Sequence, residues 1–222
     1  MSLSTSVLNA QRSTLLERID HLVYATPSLD SGIKEIEDLL GVRAAAGGQH
    51  PGRGTRNALV ALGPNTYLEI IAPDPDQPTP SSPRAFGLDT LTKSRLVTWA
   101  AKTTNVDSIH DRALANDISL GRADAGSRKR PDGVLLSWRF TNSTTLVGDG
   151  IVPFFIDWGG SPHPARTAPR GATLAALRAE HPDERRIEKM LESLGLGLPV
   201  SHAEHPALVA TIDGPKGRVE LR

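Results

Sequence analysis

Two runs of the sequence decide the fold: Ile19-Asp20-His21-Leu22-Val23-Tyr24 and Thr66-Tyr67-Leu68-Glu69-Ile70-Ile71. Both runs are apolar and rich in β-branched or aromatic residues, which is typical of strands. Each run also carries one side chain that can ligate a metal, His21 in the first and Glu69 in the second. Because side chains of a strand alternate between its two faces, both groups can share one sheet face if the strands pair in a suitable register.

A helix and two short strands are predicted between these runs. An apolar stripe at helical spacing defines the helix, and it consists of Leu29, Ile33, Ile36 and Leu40. Ser28 is expected at the N-cap and Gly41 at the left-handed C-cap. Short strands are expected over residues 42–46 and 57–62. The predicted order of elements is therefore βαβββ.

The alternation of strand residues predicts which side chains face the helix. In the second run Leu68 and Ile70 are expected to face it, and Glu69 is expected on the opposite side. In the first run the same count places Ile19 on the face of His21, and Asp20 on the other face.

The rest of the chain repeats the pattern. Residues 74–83 are rich in Pro, Asp and Ser and are expected to connect two units. Strands are predicted over 94–101, 118–123, 133–140 and 151–158, a helix from Asp107 to Asn116, and a polar hairpin or loop over 124–132. Residues 187–195 resemble 33–41, and 207–210 resemble 58–61, which predicts a C-terminal αβββ unit. The strand that should precede its helix is expected to be 153–158, in place of or beside a role of that run in the second module.

We therefore expect a tail at 1–16 and a single domain at 17–222, with modules at about 18–73, 94–158 and 173–222. Lys and Arg number 25, as do Asp and Glu, so the charge balance disfavours nucleic-acid binding. The absence of cysteine excludes disulfides, thiolate metal sites and Cys nucleophiles. No apolar run approaches the roughly 20 residues that span a bilayer, so a membrane partner is not expected. A cytoplasmic location is expected, and the repeats are compatible with a homodimer.

Several of these segments resemble the vicinal oxygen chelate superfamily, specifically its glyoxalase-like domain proteins. The segments are Ile19-Asp20-His21-Leu22-Val23, Leu39-Leu40-Gly41-Val42, residues 47–57, Tyr67-Leu68-Glu69-Ile70, and Phe154-Phe155-Ile156-Asp157-Trp158 with His163-Pro164. The resemblance covers about residues 18–222. It implies an α+β fold in which βαβββ modules form curled mixed sheets around a cavity, as in glyoxalase and dihydroxybiphenyl dioxygenase.

The resemblance also implies a divalent metal in the cavity. His21 and Glu69 match the ligand positions of the first module, and imidazole with carboxylate suits Zn²⁺, Fe²⁺, Ni²⁺ or Mn²⁺. Trp99 stands where a ligand of the second module is usual, and indole cannot ligate a metal. Asp157 or Glu220 is an alternative third ligand.

Each candidate residue also has an alternative interpretation. His21 is a metal ligand or a buried structural histidine. Glu69 lines the cavity as a ligand or general base, or it lies on a solvated face or in an ion pair, because an unpaired carboxylate is costly to bury. Residues His50, Arg53 and Arg56 contact the substrate, with the arginines binding an anionic group, or they form a tight loop. Trp99, Phe154 and Trp158 line the pocket or pack in the core.

Two functions are compatible with these residues. The first is a small-molecule enzyme of the lyase, isomerase or dioxygenase type that acts on an oxygen-rich substrate with His21 and Glu69. The second is a non-catalytic binding or sequestration protein on the same scaffold, which Trp99 at a ligand position favours.

Overall fold

The computed structural model describes residues 15–142 and 146–222, so most of the predicted tail lies outside the described residues. The strands are β1 (Ile19–Ala25), β2 (Ala45–His50), β3 (Thr55–Gly63), β4 (Thr66–Pro73), β5 (Arg95–Lys102), β6 (Arg122–Lys129), β7 (Leu135–Asn142), β8 (Phe154–Asp157), β9 (Thr173–His181), β10 (Val200–His202), β11 (Ala207–Gly214) and β12 (Gly217–Leu221). The helices are α1 (Leu29–Leu40), α2 (Val106–Leu114) and α3 (Glu184–Ser193).

Strands β1 to β8 form one mixed sheet in the order β2-β3-β4-β1-β5-β8-β7-β6. At its centre, β1 pairs in parallel with β4 and antiparallel with β5. The sheet curls until its two edges approach each other, and there the Arg128 guanidinium of β6 donates a hydrogen bond to the Gly47 carbonyl of β2. This curling confirms the predicted α+β fold with a mixed sheet around a cavity.

Helix α1 forms where the apolar stripe predicts it. Leu29, Ile36 and Leu40 are buried against the convex face of the sheet. Gly41 ends the helix in the left-handed region at φ 75°, which lets its N–H reach the Glu37 carbonyl. Ser28 occupies the predicted N-cap position, although its side chain makes no capping hydrogen bond.

A second sheet covers the convex face together with the helices. It contains four strands in the order β10-β9-β11-β12. Leu177 of β9 and Leu208 of β11 belong to the same buried cluster as Leu22, Leu68 and Trp99 of the large sheet. The main core therefore lies between the two sheets, and the concave face of the large sheet is left for the cavity.

An irregularity in β1 corrects one prediction about its faces. The pairing of β1 with β5 shifts register between Ile19 and His21, and Ile19 joins the main core with Leu22 and Tyr24. The prediction that Ile19 shares the face of His21 is therefore wrong. The alternation predicted for β4 is confirmed, since Leu68 and Ile70 face the core and Glu69 faces the cavity.

Of two predictions about the later sequence, one is confirmed in one of its alternatives and the other is wrong. The segment 124–132, predicted as a polar hairpin or loop, is a hairpin: it forms most of β6 and the turn into β7, and Gly126 and Arg128 point inward from β6. The segment 154–157 pairs with β5 and β7 in the large sheet, so it is not the first strand of the C-terminal unit. That strand is β9, which pairs with β10 and β11.

None of the helices in the described part of the chain is long and apolar enough to cross a membrane.

Gly150 provides a test of how the segment before β8 packs against β5. Its φ is 92°, and a Cβ atom there would overlap the Val97 carbonyl oxygen. We expect Gly150→Ala to lower the free energy of unfolding by about 2–4 kcal/mol, because alanine is strained at this φ and its Cβ atom would also overlap the carbonyl oxygen.

The control is Gly197→Ala, because that glycine is exposed with open space around it. Its effect should stay within about 0.5 kcal/mol in urea unfolding followed by circular dichroism. Equal stabilities of the two variants would contradict this packing of the segment on β5.

Candidate active site in the concave cavity

The concave face of the large sheet encloses a cavity of about 700 Å³. This volume lies within the range of small-molecule sites. Its walls are mainly aromatic: Tyr67, Phe86, Trp138, Phe140, Phe154 and Trp158. The polar groups His21, His50, Asn57, Glu69 and Arg128 converge on the same space. A few polar groups within an apolar enclosure are typical of a ligand site.

The parallel pairing of β1 with β4 brings His21 and Glu69 together. His21 lies opposite Tyr67 in the register, and Glu69 lies two residues further along β4. The His21 ring stacks on the Tyr67 ring with centroids 4.6 Å apart. The Nε2 atom of His21 then lies 3.8 Å from Oε2 of Glu69. The predicted meeting of these two groups on one sheet face is confirmed.

Asp20 holds the other nitrogen of the His21 ring. Its carboxylate is 1% exposed, and its Oδ1 lies 2.8 Å from Nδ1 of His21. It also accepts hydrogen bonds from Trp158 Nε1 at 3.1 Å and from His163 Nε2 at 3.1 Å. Burial alone would raise the pKa of Asp20, but the hydrogen bonds from His163 and His21 outweigh burial and hold that pKa well below its usual range.

The hydrogen bonds around Asp20 assign the tautomers of both histidines. Nδ1 of His163 accepts the N–H of Ala165, so the proton of a neutral His163 lies on Nε2. Because Asp20 is ionised, it needs a proton on Nδ1 of His21 as well. In its neutral form His21 therefore directs the Nε2 lone pair toward Glu69.

Asn57 and His50 surround the Glu69 carboxylate. Asn57 donates from Nδ2 to Oε1 of Glu69 at 2.5 Å, and His50 Nε2 lies 3.9 Å from the same oxygen. This hydrogen bond fixes the orientation of the Asn57 amide, because exchanging its oxygen and nitrogen would place Oδ1 against Oε1 of Glu69. Glu69 Oε2 is left facing His21, without a donor among the described residues.

His50 is a neutral group in this site. Its Nδ1 lies 2.9 Å from the Thr55 hydroxyl oxygen, and its Nε2 accepts a long contact of 3.4 Å from Asn57. Burial lowers the pKa of His50 to about 4, and the charges of Arg128 and Arg53 lower it too, while Glu69 opposes them. At neutral pH the His50 ring therefore adds no charge to the cavity.

Of the six other predicted site residues, four line the cavity and two do not. His50, Arg53, Phe154 and Trp158 line the cavity, together with His21 and Glu69. Arg53 lies at the mouth, where it donates to Asp124 at 3.0 Å.

Two predicted substrate contacts are wrong. Trp99 is fully buried in the main core and donates to the Ile151 carbonyl at 2.8 Å, because its strand position faces the second sheet. Arg56 does not line the cavity, because it alternates with Asn57 on β3 and lies 3.8 Å from Asp76 on the other side.

Several residues of the site were not predicted from the sequence. Strand alternation places Asp20 on the face opposite His21, and only the irregularity in β1 brings it to Nδ1. Arg128 falls in a polar segment predicted as a hairpin or loop, in which no residue was singled out for the site. Trp138 and Phe140 carry a signal that could have been used, since they are aromatic residues two positions apart in a predicted strand.

The donor set does not fit the predicted metal centre. His21 and Glu69 supply two ligands, whereas catalytic metal sites usually take three from the protein. Within residues 15–142 and 146–222, no group of three or more His, Cys, Asp or Glu side chains is arranged to hold an ion. The other predicted ligands are not nearby, since Asp157 binds the Gly159 N–H and Glu220 pairs with Arg178.

Comparison with known proteins places the chain in a family. The model of the glyoxalase-like domain family matches residues 19–195. No curated protein sequence matches the chain. Among solved structures, a hypothetical protein from Staphylococcus aureus is similar at 14% identity and a TM-score of 0.59, over 91% of this chain and 83% of that one. At this identity the likeness shows the fold alone.

Methylmalonyl-CoA epimerase from Mycobacterium tuberculosis is also similar, at 20% identity and a TM-score of 0.43, over 65% of this chain and 90% of that one. A likeness this weak does not bear on the chemistry of the present site. The family model covers most of the chain and confirms the resemblance seen in the sequence. The chain belongs to the glyoxalase-like domain family of the vicinal oxygen chelate superfamily.

Proposed function

We propose that the chain is a small-molecule enzyme of the lyase or isomerase type, which moves a proton within an oxygen-rich carbonyl substrate bound in the cavity. One observation carries the proposal: the Asp20–His21 pair and the Glu69 carboxylate face each other inside an aromatic enclosure. The third reaction type expected from the sequence is a dioxygenase, which we do not propose. A redox-active metal would find two ligands, His21 and Glu69, and no third one nearby among the described residues.

The gap between His21 and Glu69 supports a substrate-bridged arrangement. At 3.8 Å, Nε2 and Oε2 are too far apart for a direct hydrogen bond. A substrate atom to one side of the line that joins Nε2 and Oε2 can lie about 3 Å from both, which is within hydrogen-bond reach of each group. Such a geometry suits a proton donor and a proton acceptor that act on neighbouring atoms of one substrate.

In the proposed step Glu69 is the general base. Its Oε2 accepts the proton from the carbon next to the carbonyl, and the C–H electron pair forms the new C–C double bond. The carbonyl π pair moves to oxygen, which takes the proton on Nε2 of protonated His21 and gives a neutral enediol or enol. In an isomerisation, Glu69 returns the proton to the former carbonyl carbon, while the hydroxyl on the carbon that lost the proton gives its own proton to His21 and becomes the new carbonyl. In a lyase reaction, the enol returns its proton to His21, the carbonyl forms again as the C–C double bond shifts to expel the β-substituent, and the leaving group takes the proton from Glu69.

Asp20 and Asn57 have positioning roles in this scheme. Asp20 fixes the His21 tautomer and stabilises the imidazolium, as the carboxylate does in a catalytic triad. Asn57 binds Oε1 of Glu69, so that Oε2 is directed at His21. Burial raises the pKa of Tyr67 well above its ordinary value, and the Asp20 and Glu69 charges raise it further, so Tyr67 supports His21 as a neutral phenol.

We expect Glu69→Gln to lower proton exchange by about 100-fold or more, since general acid–base catalysis contributes factors of that size. The measurement is loss of ¹H NMR signals next to the carbonyl in D₂O, over a panel of small 2-oxo and α-hydroxycarbonyl compounds. The control is Glu188→Gln on the exposed face of α3, which should leave the exchange rate unchanged.

A Glu69→Gln rate equal to that of the wild type would rule out the proposed base. The alternative function, ligand sequestration without turnover, makes a different prediction. It requires that the wild-type protein bind members of the panel and exchange none of their protons.

Metal dependence is a separate prediction. Zn²⁺, Fe²⁺, Ni²⁺ or Mn²⁺ held by His21 and Glu69 is the expectation from family resemblance, but these two ligands lack a third among the described residues. We therefore expect protein dialysed against a chelator to keep its exchange rate. The metal content is measured by mass spectrometry before and after dialysis. A rate that falls with the metal content and returns on adding one of these ions would contradict the metal-free scheme.

A further inference from the structure

Arg128 is a cation buried in the cavity wall. Its side chain reaches inward from β6, and the residue is 3% exposed. Arg128 is one of the residues that line the same cavity as His21 and Glu69. Burial lowers the pKa of Arg128, and yet a guanidinium stays charged in any protein environment. A full positive charge therefore lies in a mostly aromatic enclosure.

This charge has little compensation. One guanidinium nitrogen, Nη1, donates to the Gly47 carbonyl across the seam between β6 and β2. Among residues 15–142 and 146–222, no carboxylate forms an ion pair with Arg128, and its other N–H groups have no acceptor. Glu69 acts on it only from a longer distance. A buried charge with open donors is costly unless a partner supplies an opposite charge.

The other arginines at the cavity already have partners. Arg53 pairs with Asp124 at 3.0 Å, and Arg84 pairs with Asp89 at 2.5 Å while its Nε binds the Gly54 carbonyl. Arg128 is thus the cavity arginine whose donors are free to bind a ligand.

We propose that Arg128 binds the carboxylate of the substrate, and that the substrate class is a monocarboxylate with an apolar or aromatic body. The proposal rests on the proposed function, because it places the carboxylate in the same cavity as the proton-transfer groups. The planar fork of the guanidinium matches the two oxygens of a carboxylate. The aromatic walls around Trp138 and Phe140 suit the body of the ligand.

The charge balance favours a carboxylate over a phosphate. One carboxylate neutralises one guanidinium. A phosphate dianion would bring a second negative charge into a cavity that already contains Glu69. His50 cannot balance that charge, because its lowered pKa of about 4 keeps it neutral. Arg53 and Arg84 are neutralised by their own aspartates.

The test measures binding without turnover. The probes are 1-naphthylacetate, its neutral amide 1-naphthaleneacetamide, and 1-naphthylmethylphosphonate, each titrated by isothermal calorimetry into the full-length protein. Wild-type protein should bind the acetate at least about tenfold more tightly than the amide or the phosphonate, as a charge-assisted hydrogen-bond pair provides. Arg128→Gln should abolish the preference for the acetate over the amide and leave amide binding unchanged.

The matched control is Arg139→Gln, because Arg139 is an exposed arginine of the neighbouring strand that pairs with Asp107 outside the cavity. It should keep the wild-type preference. Arg128→Lys keeps the charge and should keep part of the preference. In wild-type protein the acetate should shift the Arg128 Nε–Hε NMR signal, which the amide should not, so the result does not depend on whether Arg128→Gln folds.

Three outcomes would overturn the carboxylate site: equal affinity of wild-type protein for acetate and amide, tighter binding of the phosphonate, or no binding of any probe at millimolar concentration. A purely structural role of Arg128 at the seam predicts the first of these, together with equal losses for all probes in Arg128→Gln. Failure of the proposed function is distinguishable, since it shows as normal proton exchange in Glu69→Gln and leaves the carboxylate preference intact.

Discussion

The parallel pairing of β1 with β4 fixes the geometry on which the rest of the site depends. It sets His21 beside Tyr67 and places Glu69 one step further along the same face, so that imidazole and carboxylate face each other at 3.8 Å. A shift of one residue would turn Glu69 into the main core. The irregularity between Ile19 and His21 is equally important, because it brings Asp20 to the far side of the same imidazole ring.

Burial gives these few polar groups their chemical character. Asp20 is kept ionised by donors from three side chains, while His50 is kept neutral by its apolar surroundings. In a medium of low effective dielectric constant such groups interact more strongly than in water. Arg128 is the exception, because its charge has no anionic partner among the described residues. The positive charge of Arg128 therefore lacks a negative partner, and a carboxylate ligand would supply one.

The sequence predicts those parts of the molecule in which local pattern and tertiary structure agree. The stripe of α1, the Gly41 cap and the alternation of β4 are examples, and the meeting of His21 with Glu69 follows from that alternation. Asp20 could not be placed, because nothing in the sequence marks a break in strand alternation. Arg128 was missed because β6 is polar on both faces, so no apolar alternation in the sequence marks which of its side chains point inward. Trp99 and Arg56 were assigned to the wrong face of their strands. The second sheet covers one face of the large sheet and leaves the other to the cavity, and the sequence of a single strand does not indicate which face is covered.

The most direct measurement of the hydrogen bonding around Asp20 is a long-range ¹H–¹⁵N NMR spectrum of the histidine rings, recorded where both rings are neutral. Asp20 accepts from Nδ1 of His21 and from Nε2 of His163, which predicts opposite tautomers for the two rings. His21 should be protonated at Nδ1 and His163 at Nε2. Asp20→Asn should shift both sets of signals. A His21 ring protonated at Nε2 would contradict the proposed arrangement, because its lone pair would then face Asp20 rather than the substrate.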